Sequence, residues 1–143
     1  MLITGSQAFV FAGSSSAAAA VAHLACIVLG GPAYRLMGAG EKMARAAEAG
    51  RLHPTILTLI VSGILLVWAA YAFGAAGVIK RLPFSSFVLA SICAVYLTRA
   101  VAFPLLKPAF PGNSDSFWFV SSGICLVIGL AYLYGLLTDW HKL

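Results

Sequence analysis

An all-α integral membrane fold is predicted: an antiparallel four-helix transmembrane bundle with a short surface helix in the first connection. Three observations carry this. Four nearly uncharged apolar stretches, residues 8–30, 54–79, 84–106 and 117–137, fill most of the 143-residue chain. Each reaches the about 20 residues that a helix needs to cross roughly 30 Å of hydrocarbon. Charged residues make up only 9% of the chain, against roughly 25% in a soluble domain, too few to cover a water-facing surface. An apolar solvent leaves backbone polar groups only one another as partners, so spans of this length are expected to be helices. The spans form one domain over residues 1–143 and leave no room among them for a soluble catalytic unit.

The first span contains the run SSSAAAA at 14–20. Small residues let backbones approach closely, which places this helix inside the bundle. No Lys or Arg precedes the span and its apolar run is long, so it is expected to be retained rather than cleaved as a signal peptide. Gly30, Gly31 and Pro32 end it. The polar connection that follows is rich in strong helix formers. Glu41 and Arg45 stand four apart in the favourable order, and Gly50 suits a C-terminal cap. A surface helix over 41–49 follows.

Pro54 fits the first turn of the second span. Lys80, Arg81, Leu82 and Pro83 allow only a tight turn, so the second and third spans form a hairpin. The third connection, 107–115, is stiffened by Pro108 and Pro111, and Asn113, Ser114 or Asp115 can cap the fourth span. Trp118 and Trp140 lie 22 positions apart, about 33 Å of helix, and bracket that span as an aromatic belt would.

The net charge of +5 sits mostly at span ends, which fits anionic lipid headgroups rather than nucleic acid. One side carries Lys80, Arg81 and Lys142; the other carries Arg35, Lys42, Arg45, Arg51 and Lys107, with Arg99 toward it. The positive-inside rule then puts the first and third connections in the cytoplasm and both termini on the non-cytoplasmic side of a cell membrane such as a bacterial inner membrane. Cys26, Cys93 and Cys125 all fall inside spans and are expected to act as small buried hydrophobes rather than disulfide partners.

Arg99 is the sharpest functional signal, because charge inside a span is costly and usually faces the bundle interior or a wet cavity. Snorkelling along its own stem to the nearer interface is the plain alternative. A helix through Tyr96, Arg99 and Phe103 puts a phenol and the guanidinium on one face. Glu41 and Asp115, on the same side, are the expected carboxylate partners, and a guanidinium equally suits a bidentate lipid phosphate or other anion. His23 shares a small-residue stripe with Ser16, Ala19, Cys26 and Gly30. It is either a hydrogen-bonded neutral ring or a ligand contact. Trp68, in the middle of the second span, should point inward, as core or as the wall of a pocket. The candidate ligand-binding residues are therefore Arg99, Tyr96, Glu41, Asp115, His23 and Trp68.

Thr58, Ser62, Ser121, Ser122 and Cys125 read as interhelical glue. His23 and Cys26 with Cys93 or Cys125 lack any paired-cysteine spacing, so no metal site is expected. No span contains Asp or Glu, which argues against a carboxylate-driven proton-coupled transporter. The chain has no phosphate loop, HExxH, GxSxG or CxxC, and neither a catalytic residue nor a cofactor is expected.

Four helices in this length with a charged first connection resemble the layout of the microsomal glutathione transferase superfamily. That family's first loop carries E-R-x-x-R-A-H-x-N. Glu41, Lys42, Met43, Ala44, Arg45, Ala46 and Ala47 echo its start, without its His and Asn. The resemblance implies an intramembrane enzyme with a thiol cofactor, and no residue's role is carried over from it. Three functional readings thus stand. The first is a small membrane protein binding an anionic amphiphile or lipid headgroup near Arg99. The second is a structural or accessory subunit docking on a membrane partner or on a second copy. The third is the glutathione-transferase-like enzyme.

Overall fold

The computed structural model describes residues 2–143, and every regular element among them is helical. Helix α1 spans Gly5–Leu29, α2 Gly31–Leu36, α3 Glu41–Glu48, α4 His53–Ala75, α5 Ser85–Val101, α6 Phe103–Leu106 and α7 Asp115–Asp139, with 3₁₀ turns at Lys107–Ala109 and Trp140–Lys142.

Local chemistry sets the boundaries. Thr4 and Gln7 form a capping box, each side chain accepting the other's backbone N–H (3.1 and 2.9 Å), so α1 starts a turn earlier than its apolar run. It ends at Gly30, which takes φ +77° while donating to the Cys26 carbonyl at 2.9 Å, a backbone state open to glycine at little cost. Pro32 then opens α2, a short helix that composition does not announce. Pro54 sits in the first turn of α4 as expected, Gly50 follows α3 with φ +73°, and Ser114 caps α7 by accepting the Phe117 N–H at 3.1 Å.

The third apolar stretch differs most from its expected form. Instead of one helix over 84–106, α5 stops at Val101 after 17 residues, about 26 Å at 1.5 Å per residue. The chain then bends by 68° into α6 and its 3₁₀ turn. Pro104 explains the break, since it has no N–H to donate and its ring collides with the carbonyl four residues back. Three helices (α1, α4 and α7) are thus long and apolar enough to cross a membrane, or four if α5 and its bent continuation count as one span.

The long helices meet through small residues. Gly13 of α1 faces Ala72 and Phe73 of α4, where a Cβ would stand 3.1 Å from each. Ser62 of α4 donates to the Ala20 carbonyl at 3.3 Å. On α7, a Cβ at Gly135 would come within 2.7 Å of the Phe9 ring, and one at Gly129 within 2.7 Å of Leu97. Ala12, Ser16 and Ala20 on the α1 stripe are fully buried. The outward faces stay apolar, as Ile56, Leu59, Ile60, Ile64 and Val67 show on α4. Helices that are hydrophobic all round suit a lipid surrounding.

Ala20 is fully buried whereas Ala18, two positions earlier, is exposed. Ala20→Leu should therefore overpack the α1–α4 contact and cost about 1–3 kcal/mol, while Ala18→Leu should be neutral. Thermal unfolding of both variants in detergent checks this, and equal stability would remove the close-approach argument.

Candidate functional site

Arg99 lies near the C-terminal end of α5, part-buried against the first turns of α7. Two of its guanidinium nitrogens donate to serine hydroxyls, Nη1 to Ser122 at 3.2 Å and Nη2 to Ser121 at 3.1 Å. The guanidinium carbon also stands 5.3 Å from the centre of the Trp118 ring, a distance at which the ring quadrupole attracts a cation. Trp118, Ser121 and Ser122 fall at helical spacing on one face of α7, so one turn presents all three to the arginine.

The expected acidic partners are elsewhere. Glu41 accepts from Arg35 (3.0 and 2.9 Å) and from Arg45 (3.0 Å) on the insert between α1 and α4. Asp115 pairs with Lys107 across the third connection. Among the described residues no carboxylate pairs with Arg99. The first connection folds back on itself, and its acids are taken up by its own arginines before they can reach the bundle. Trp118, expected in an aromatic belt, is instead buried at 3% exposure. Its indole N–H is enclosed without an acceptor.

Tyr96 and Trp68 belong to a different cluster. The Tyr96 and Tyr132 hydroxyls stand 2.9 and 3.0 Å from Ser16 Oγ, and Tyr132 donates to the Trp68 carbonyl at 3.4 Å. A carbonyl only accepts, so the protons run in one direction: Tyr96 to Ser16, Ser16 to Tyr132, Tyr132 to Trp68. The Trp68 ring meets Tyr96 edge-on at 5.4 Å, and Tyr96 stacks on Tyr132 at 5.6 Å. Tyr96 thus leaves the Arg99 site for the core. Nothing in the sequence marked Tyr132, which is an ordinary aromatic in an apolar run until Ser16 is placed opposite it.

The insert of α2 and α3 closes over one end of the long helices. Arg35 bridges Glu41 and Glu48, the latter at 2.6 Å. Gly31 sits directly under the Glu48 side chain and Gly38 under the Phe117 ring, where any Cβ would clash. Asn113 donates to the Gly38 carbonyl at 3.1 Å, tying the insert to the third connection. Beneath the insert lies a cavity of about 320 Å³ lined by His23 and Cys26. The cavity's lining includes His23 but not Arg99, Ser121, Ser122, Tyr96 or Trp68. No protein family, curated protein or solved structure matches this chain.

The Arg35 guanidinium, and then Arg45, hold the Glu41 carboxyl at about 2, and Arg35 likewise holds Glu48 below the usual carboxylate range. Because the folded value is depressed, the contribution is present above the ordinary value and is lost as pH falls toward about 2. These pairs are exposed and screened, so they position the insert more than they stabilise the whole chain. Protection of the α3 amides, taken relative to the intrinsic exchange rate at each pH, should accordingly persist at pH 4 and fall away toward pH 2, and Glu41→Gln should lower it at neutral pH. A loss of protection centred near the ordinary carboxylate value would show that the arginine clamp is absent.

Proposed function

We propose that this chain is an integral membrane protein, an antiparallel four-helix transmembrane bundle, that holds the anionic head of an amphiphile at Arg99. The observation that carries the reading is a guanidinium inside an apolar stretch, fixed by two serines and a tryptophan face, with no carboxylate among the described residues paired to it. An unpaired charge out of water is costly, and an arginine presents five donors in a fixed fork. Two serine acceptors leave that fork with donors to spare. A phosphate or carboxylate group brings the oxygen acceptors and the negative charge that this donor set is short of.

Packing supports the bundle. Residues 13 and 20 of α1 meet residues 72 and 62 of α4, and residues 9 and 16 of α1 meet residues 135 and 132 of α7, so the numbering falls on one helix as it rises on the next. The basic residues of the first and third connections orient the insert toward the cytoplasm and both termini away from it. Cysteine labelling at Ala47 and Leu143, in a background without the three native cysteines, tests this. Periplasmic labelling of Ala47 in intact cells would reverse the orientation.

The ligand reading makes the fork geometry essential, because a lysine keeps the charge and loses the planar, bidentate contact. Mass spectrometry of protein purified in mild detergent should find an anionic amphiphile on wild type, depleted in Arg99→Lys and lost in Arg99→Ala. Glu41→Gln and Asp115→Asn should retain it. If added inorganic phosphate alone stabilises wild type as strongly as an acidic phospholipid does, the site reads the free anion and not the amphiphile. Identical bound molecules in wild type and Arg99→Ala would refute the proposal.

A further inference from the structure

The cavity beneath the insert has an unusual distribution of protons. Its polar lining comes from His23 and Cys26 of α1, Tyr34 of α2 and Thr58 of α4, and its remaining walls are largely apolar, including Met37, Met43, Leu57, Val61 and Phe110. His23 Nδ1 lies 2.7 Å from the Ala19 carbonyl. That oxygen only accepts, so Nδ1 carries the hydrogen, and in the neutral ring Nε2 is left with a lone pair. Thr58 donates its one hydroxyl proton to the Pro54 carbonyl at 2.7 Å. The 3.0 Å contact between Tyr34 and Thr58 must then use the tyrosine's proton. The Cys26 thiol likewise points its proton at the Ala22 carbonyl, 3.6 Å away.

Every side-chain polar hydrogen around the cavity is therefore committed to the protein, and what the side chains leave free are acceptors: the imidazole Nε2, the two hydroxyl oxygens and the thiol sulfur. We infer that this cavity binds an uncharged aromatic molecule bearing a hydroxyl, which donates its proton to His23 Nε2. The donor requirement follows from the committed hydrogens. The absence of charge follows from the lining, which among the described residues includes no carboxylate to balance an ammonium and no lysine or arginine to balance an acid. The aromatic body follows from the two methionines, whose thioethers favour ring contacts, together with Phe110. Size agrees: an apolar cavity of about 150 Å³ takes benzene, and about 320 Å³ suits a two-ring body. This site differs from that at Arg99 in residues and in sense, since it offers acceptors where Arg99 offers donors.

The probe is 1-naphthol, set against 1-methoxynaphthalene, which has the same rings and no donor. Two of the protein's three methionines line the cavity, so ¹³C-methyl-methionine spectra of the full chain in nanodiscs report occupancy directly. Saturable shifts of the Met37 and Met43 methyls are expected with 1-naphthol, at an affinity about tenfold above that of the methyl ether, the usual worth of one hydrogen bond. His23→Leu should erase that ratio by weakening 1-naphthol alone, and Val61→Phe, which fills the cavity, should abolish both. Equal affinities of the two probes for wild type would overturn the inference whether or not either variant folds. So would undiminished naphthol binding in Val61→Phe, or no saturable shift at all.

Discussion

A hydroxyl buried among apolar helices has no water to fall back on, and Ser16 shows how much of this structure follows from that. Its oxygen stands within hydrogen-bond reach of Tyr96 on α5 and Tyr132 on α7, and Tyr132 passes its own proton to the Trp68 carbonyl on α4. One chain of hydroxyls thus touches all four long helices. Breaking any link strands a donor or an acceptor where nothing replaces it. The contact also demands close approach. Only a small residue on α1 lets two tyrosine hydroxyls converge on one point, and the buried alanines on the same stripe extend that approach along the helix.

With the core organised around Ser16, the polar groups left over fall into two places with opposite proton inventories. At Arg99 the protein presents donors: a guanidinium fork only partly met by two serines. Under the insert it presents acceptors, because His23, Thr58 and Tyr34 have each committed a hydrogen to another protein oxygen. The insert itself is held by exposed arginine–glutamate pairs and by the docking of Gly38 on Phe117. The buried Tyr34–Thr58 hydrogen bond ties it to α4, and it forms the roof of the cavity.

Much of this was legible in residue order alone. Apolar stretch length specified four helical segments, because backbone polar groups in such stretches have only each other to bond. Gly50 and Pro54 marked helix ends through their own backbone chemistry, the cap of α7 was narrowed to Asn113, Ser114 or Asp115, and Glu41 with Arg45 announced the surface helix through i,i+4 spacing. The small-residue run on α1 foretold close packing, and Arg99 stood out as a charge without local relief. Pro104 was equally visible, and its lack of an N–H is what breaks the third segment at Ala102; a count of apolar residues alone passes over it.

Tertiary structure alone decided the partners. Composition offers Glu41 and Asp115 as equal candidates for Arg99, and only the fold shows each acid already taken by a nearer cation. Trp118 and Trp140 share a spacing that fits two interfaces, yet one is buried against a guanidinium and the other exposed. His23 and Tyr96 project from different helices into different neighbourhoods, a separation that one-dimensional order does not encode. The reason is physical: helix formation depends on neighbours within four residues, whereas the fate of a side-chain proton depends on which acceptor another helix brings within 3 Å.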